Sequence, residues 1–537
     1  MALQDLTRRY LDLHLALRPV DSTFMGYEDR DHELPPATPA ALEQETSELA
    51  SLALELRRQP AGATAEDRIA RAALHGAVQH ALRENEARPR LANPAWYTGE
   101  AAFGLIALLL RTPSGHVGDA LRQRVEALPA FLAAGAARLA GAAAPADWVT
   151  RAKLEAQALE RLLTHGLPLH ALAGSVPPDA VAAACKAAAA FASSLAPSAD
   201  SDPAAPAGYL AHLFAEVHQL PMPVKEAEAL ALEGFERARA ALEAKARAAD
   251  PEESWRAQLA RLEGDHPPLP DVIATYSRLH ERAMAEAERA GLVTPALGYG
   301  LRFAYLPEWA RGVAHELYFL FYRSPAAMSP GSASPYWVFA PGADLDAYLR
   351  GQSYATIKLT HAVHHGSIGH HTQNARARES AVSLGRLAGT DCASGIALLA
   401  GGTMIEGWAC YSQDLLLEAD GFYTPAEELL LAHAELRNTA MCLADIRLHT
   451  GVWSLAQMRA FYEDEVGIGS QRAWTETTRN SMWPSTRSMY WLGTRAIRQF
   501  RRDVGGEARR FHDALLAFGS VPVYPVGEEL LRAKERA

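Results

Sequence analysis

The chain has 537 residues, 49% of them hydrophobic and 21% charged, enough to bury an extensive core without disulfides or a structural metal. Its 52 basic and 63 acidic residues give a formal charge of −11, which speaks against a broad nucleic-acid-binding surface. Four cysteines (Cys185, Cys392, Cys410 and Cys442) stand far apart without a CxxC pair, which argues against a disulfide scaffold or a thiolate zinc site and suits a reducing compartment.

From the amino terminus onward, the first twenty residues mix charges with leucines and lack the unbroken apolar stretch of a secretory signal. No run of 18 apolar residues follows, and the nearest, Cys392 to Ile405, is short and glycine-rich. The expectation is a soluble cytoplasmic protein without a membrane partner. Helical periodicity dominates. Thr38-Pro39 sets a capping hydroxyl before a proline whose missing N–H costs nothing there, and Asp250-Pro251 repeats the device. Ala180 to Ala196 has high helix propensity. The stretch Ala196 to Gly208 reads as a linker or exposed loop, and the chain is expected to hold an N-terminal helical lobe, 1–200, and a C-terminal metal-binding catalytic lobe, 201–537, within one continuous domain. Pro267 to Pro270 separates two helices, Ser324 to Ser334 is a loop, and Tyr336-Trp337-Val338-Phe339 is the clearest strand. Thr424-Pro425-Ala426-Glu427 forms a capping box that opens a helix running to about His449, with Gly451 as its stop. The fold class is therefore mainly α with a minor β element.

The chemistry concentrates in His361-Ala-Val-His364-His365-Gly-Ser-Ile-Gly-His370-His371, five of the 20 histidines within 11 residues. Histidine is the commonest protein metal ligand and titrates near neutrality, so this density points to metal chemistry. On a helix His361, His364 and His365 share a face. His364 and His370 lie roughly 240° apart on a straight helix and cannot chelate one ion, unless Gly366 and Gly369 allow a bend. Glu406 interrupts an otherwise apolar stretch, where an unpaired carboxylate is costly. Arg437, Asp445 and His449 recur at multiples of four along one helix, either as an exposed charged stripe or as substrate binders. Tyr490 offers a phenol for an oxyanion, and Arg479 and Arg487 offer forks for a substrate carboxylate. No phosphate-binding, dinucleotide-binding or serine-elbow motif stands out.

The histidine segment followed by Glu406-Gly407-Trp408-Ala409 resembles the bacterial domain of unknown function 885 family, whose members carry an HExxPGHH-like segment and then EGWA. The resemblance extends over nearly the whole chain: Arg18-Pro19, Met25-Gly26 and Asp29 near the start, Phe321-Tyr322 and Pro330-Gly331 centrally, then Trp483-Pro484, Tyr490, Gly493 and Phe511-His512-Asp513. That family is similar in fold to zincin-like metallopeptidases of the thermostable-carboxypeptidase kind. The resemblance thus implies a large two-lobed helical fold with a deep central cleft, and metal ligation by His364, His370 and Glu406. It implies one divalent ion, zinc first, with iron or manganese as alternatives. The chain departs from the pattern where it matters. His365 replaces the family's general-base glutamate, Ile368 replaces a proline, Gln413 replaces a second acid, and Arg487 enters a segment that loses a lysine.

The expected function is a metal-dependent hydrolase-like enzyme acting through metal-activated water on a small amide, peptide or related carbonyl substrate. His365 serves as base or fourth ligand, with Tyr490, His449 and Arg487 around the substrate. The alternatives are a non-hydrolytic metalloenzyme (a lyase or an iron-dependent oxidative enzyme) and a catalytically inactive binding protein. Tyr336 to Tyr490 is expected to enclose one cavity with the metal at its floor.

Overall fold

In the computed structural model the described residues are 2–60, 62–142, 144–198, 202–317, 322–324, 326–328, 331, 333–387, 391–392, 395–396 and 399–536. The chain is 71% helix and 3% strand. Start signals act as chemistry dictates. Thr38 Oγ1 accepts the Ala41 N–H at 3.3 Å. Thr424 Oγ1 accepts the Glu427 N–H at 3.2 Å while a Glu427 carboxylate oxygen accepts the Thr424 N–H at 2.8 Å, and the helix runs Pro425–His449. Asp250-Pro251 does not open a helix. The Asp250 carboxylate accepts the Glu252 N–H at 3.0 Å in a local turn, and the helix begins at Trp255, capped by Ser254. Glu427 also receives a buried ammonium, Lys358 Nζ, at 2.6 Å.

The expected strand lies in β2 (Ala333–Val338), paired in parallel with β1 (Gly300–Tyr305) from Gly300↔Ala333 to Tyr305↔Val338. Ser334, Tyr336 and Val338 form its buried face. The loop after Ala196 is tied down where it is described. Ser198 N–H donates to Ala144 O at 2.9 Å, and the buried Ala205 donates its N–H to His449 Nδ1 at 3.0 Å.

The largest apolar cluster joins Leu6–Ala81 residues to residues between Ala283 and Val526, so one core runs across both ends of the chain, with Trp408 fully buried in it. A second cluster surrounds the wholly buried helix Pro94–Leu109. Cys185, Cys410 and Cys442 are free thiols, while the Cys392 side chain lies outside the described residues.

One helix crossing sets the site. The Glu406 helix (Gly402–Leu415) meets the Tyr490 helix (Ser488–Val504) at Gly407 and Gly493. A Cβ on Gly407 would stand 2.6 Å from the Gly493 carbonyl carbon, and one on Gly493 would strike the Thr403 carbonyl and stand 2.9 Å from Gly407 Cα. Thr494 Oγ1 donates to Gly407 O at 3.0 Å across the same gap. The obstructing atoms are backbone and cannot rotate aside. Gly493→Ala is therefore expected to cost about 1–3 kcal/mol or more of stability; a urea midpoint equal to wild type would show that the crossing has room.

Candidate metal centre

His364 lies in the last turn of a helical stretch, Ile357–His365, wound with the wider i→i+5 spacing that often marks functional segments. The chain then breaks: Gly366 adopts φ −94°, ψ −154°, Ser367 has φ +28°, and Gly369 has ψ −128°. A Cβ on Gly369 would overlap the Val363 and His364 carbonyls, so the reversal needs glycine. Three contacts hold the break. Ser367 N–H donates to His280 Nδ1 at 3.0 Å, Thr372 Oγ1 donates to Ser367 O at 2.7 Å, and Trp408 Nε1 donates to Ile368 O at 2.8 Å. The last ties the bend directly to the helix carrying Glu406.

The bend brings His364 and His370 face to edge, ring centroids 5.0 Å apart at 87°. His370 Nε2 lies 3.6 Å and His364 Nε2 3.9 Å from Glu406 Oε2, with each side chain 12% exposed: enclosed, yet reachable from solvent. One ligand atom from each of the three lies within 4.8 Å of the others. Glu406 Oε2 is buried, and among the described residues no donor reaches it at hydrogen-bonding distance.

The surroundings fix protonation. Gln373 Nε2 donates to Met404 O at 3.0 Å, which leaves its Oε1 to accept from His370 Nδ1 at 3.3 Å. With Nδ1 so engaged, His370 directs its Nε2 at Glu406. His364 Nδ1 stands 3.9 Å from Cys410 Sγ, itself an acceptor for Asn438 Nδ2 at 3.4 Å. Burial pushes His364 down to about 3, with His370 beside it adding to the fall. Burial would raise Glu406, but His370, His364 and the neighbouring Tyr490 hydroxyl pull it down to about 2. The result is two imidazole nitrogens, one of them on a neutral His364, facing an ionised carboxylate.

His365 stands at the edge of the trio, 5.0 Å from the His364 ring and stacked on His370 at 6.0 Å. Burial holds its pKa well below the ordinary value, and His364, His361 and His370 reinforce this. Its Nδ1 meets Tyr336 Oη at 3.0 Å, and the same hydroxyl meets His361 Nδ1 at 2.5 Å. His371 is fully buried, bonded to Tyr299 O (2.8 Å) and Tyr322 Oη (3.3 Å), a support for the bend.

Tyr490 sits beside Glu406, its phenol pushed up by burial and kept protonated. The Arg487 guanidinium lies 5.3 Å from the Tyr490 ring centroid and forms an ion pair with Glu476. The His449 ring is engaged elsewhere: Nδ1 accepts from Ala205 N–H and Nε2 contacts Asn480 O at 3.1 Å. Asp445 accepts from Asn480 Nδ2 (3.0 Å), Ser485 N–H (3.2 Å), Ser488 N–H (2.8 Å) and Ser488 Oγ (2.7 Å), so it fixes the turn that launches the Tyr490 helix. Asp445 and His449 are both buried, and neither belongs to an exposed charged stripe. Arg479 lies 5.8 Å from the Trp483 ring. Phe321 and Pro330 fall outside the described residues. Sequence reading missed Gln373, Tyr336, Tyr299 and His280, which carry no spacing signal because three of them come from other segments.

Comparison with known proteins agrees with this architecture. A family model for a bacterial protein of unknown function, DUF885, matches residues 19–530. A solved structure of a candidate lipoprotein of unknown function from Shewanella oneidensis superposes with a TM-score of 0.79 at 17% identity, over 99% of this chain and 100% of that one. A second, from Colwellia psychrerythraea, gives 0.74 at 15% identity over 100% and 99%. At these identities the likeness speaks to fold alone. No curated protein matches the chain. Among the described residues, no helix is long and apolar enough to cross a membrane.

Proposed function

The chain belongs to the bacterial DUF885 family, whose function is unknown, and from that premise we propose that it is a metal-dependent hydrolase-like enzyme acting on a small amide, peptide or related carbonyl compound. The observation that carries the reading is Glu406 Oε2, a buried carboxylate oxygen with no hydrogen-bond donor among the described residues, facing the Nε2 atoms of His364 and His370. Three ligand-type atoms converging on one enclosed spot suit a cation. His364, His370 and Glu406 would hold it, two nitrogens and one oxygen being the donor set of an open catalytic zinc site, with iron or manganese as alternatives. A divalent ion there supplies Lewis acidity, polarising a carbonyl and acidifying water.

The remaining roles fall to this chain's own groups. Tyr336 has one hydroxyl proton and two Nδ1 neighbours, so it can donate to only one of them. The 2.5 Å contact suits its O–H donating to His361, and the 3.0 Å contact suits His365 Nδ1–H donating to Tyr336. That arrangement makes His365 Nε2 the acceptor nitrogen, the state a general base needs. His365 is also not among the three residues whose ligand atoms lie within 4.8 Å of one another, which favours base over ligand. Tyr490, protonated and beside Glu406, is placed to donate to a developing oxyanion.

His365→Gln tests the assignment. On a panel of short peptides and small amides the variant should lose at least roughly 100-fold in turnover while keeping the metal content of wild type. Full turnover together with full metal would remove His365 from the mechanism. Lost metal would instead make it a ligand.

A further inference from the structure

Gln373 lies in the helix Thr372–Arg378, three residues after His370, and only 1% of it is exposed. The two ends of its amide engage different segments. Nε2 donates to Met404 O at 3.0 Å, and Oε1 meets His370 Nδ1 at 3.3 Å. The Met404 carbonyl can only accept, which fixes the nitrogen end of the amide. Oε1 can likewise only accept, so His370 Nδ1 carries a proton whatever the charge of the ring. Nε2 is then the nitrogen left for a metal, and it is the one 3.6 Å from Glu406 Oε2.

Satisfying Met404 does not account for this glutamine. Met404 lies inside the helix Gly402–Leu415, where a carbonyl already has the N–H four residues on as its partner. Burying an amide is costly unless it is hydrogen-bonded, and Met404 itself is fully buried in the main apolar core. What the amide adds is a bridge. Met404 stands two residues before Glu406, so one side chain ties the His370 ring to the backbone that carries the carboxylate. Trp408 Nε1 ties Ile368 O of the bend to the same helix, and His364 Nδ1 stands 3.9 Å from its Cys410 Sγ. The Gly402–Leu415 helix is thus the template for all three donors, and Gln373 is the side chain that joins His370 to it.

We propose that Gln373 is a positioning residue that sets the metal affinity of the His364, His370 and Glu406 centre by holding the His370 ring with Nε2 toward Glu406. The inference rests on the metal-binding part of the proposed function and is independent of hydrolysis. Being neutral, the amide orients the ring without placing a second negative charge behind it.

The experiment titrates zinc and cobalt(II) into untagged full-length protein that has been stripped with a chelator and freed of it, against a competing chelating dye. Gln373→Met, similar in length but without the amide, should bind zinc roughly 10- to 100-fold more weakly than wild type, as loss of a group that orients a ligand does. Gln373→Glu keeps an oxygen for His370 Nδ1 and should recover most of that loss. Saturated with cobalt(II), wild type and Gln373→Glu should share one visible absorption spectrum. Gln373→Met should differ, because an untethered ring presents a different ligand geometry; a residue that only fills space would leave the spectrum unmoved. Circular dichroism of the metal-free variants should match wild type. Should Gln373→Met not fold, Gln373→Asn carries the test, since its shorter amide cannot span both partners and should lose affinity in the same range. The proposal is overturned if the folded variant binds zinc as tightly as wild type, if its cobalt spectrum is unchanged, or if Gln373→Glu is as weak as Gln373→Met. Wild type that binds neither ion sinks the metal reading itself; wild type that binds both, matched by Gln373→Met, sinks this inference alone.

Discussion

Replacing Glu406 with alanine is expected to weaken divalent-metal binding by well over 100-fold while leaving the helical content unchanged. Loss of a partner that merely orients a ligand already costs roughly 10- to 100-fold. Glu406 would supply the sole carboxylate of the set, so its loss should cost more. The folded protein should tolerate the change without the metal. The helix that carries Glu406, Gly402–Leu415, is held by its apolar face, with Trp408 fully buried in the main core, so its helicity does not depend on the carboxylate. Added zinc should raise the thermal midpoint of wild type by mass action and leave that of Glu406→Ala where it was. A variant that binds zinc as tightly as wild type would take Glu406 out of the site.

Gly369→Ala should abolish the same binding without touching a ligand. The added Cβ would overlap the His364 carbonyl oxygen and stand 2.6 Å from the carbonyl carbon of that residue. These are backbone atoms, so relief requires opening the break between His364 and His370. Overpacking of this kind costs about 1–3 kcal/mol, and the separation of two ligands costs the metal. Gly366→Ala is the graded control. Its Cβ would stand 2.8 Å from Ala362 O and 3.0 Å from His361 O, a milder conflict that should weaken metal binding less. Equal, undiminished metal binding in both variants would show that the bend is not what assembles the site.

How much of this was legible in the sequence divides along physical lines. Local chemistry was readable. The Thr424 capping box and the glycines that must bend the histidine segment are one-dimensional signals, because the atoms that interact are a few residues apart. Asp250-Pro251 misled because aspartate serves a tight turn as well as a helix cap, and Ser254 lay four residues on. Strand β1 carried a visible alternation in Leu301, Phe303 and Tyr305 that was passed over because its partner is 33 residues away. Tyr336 was seen only as part of a strand. That its hydroxyl bridges His361 and His365 depends on a parallel pairing no local pattern encodes. His449 and Asp445 had the right spacing for one face of a helix, yet that face meets Asn480, Ser485 and Ser488. Periodicity identifies a shared face and is silent on what the face meets.

The central claim is that His364, His370 and Glu406 hold a divalent ion. Elemental analysis of protein purified without chelators and without a metal-binding tag tests it most directly, run on wild type and on the three single alanine variants. The account predicts about one divalent metal per wild-type chain, zinc or else iron or manganese, and little in any variant. Metal-free wild type that takes up none on incubation with these ions, or stoichiometric metal in all three variants, would contradict it.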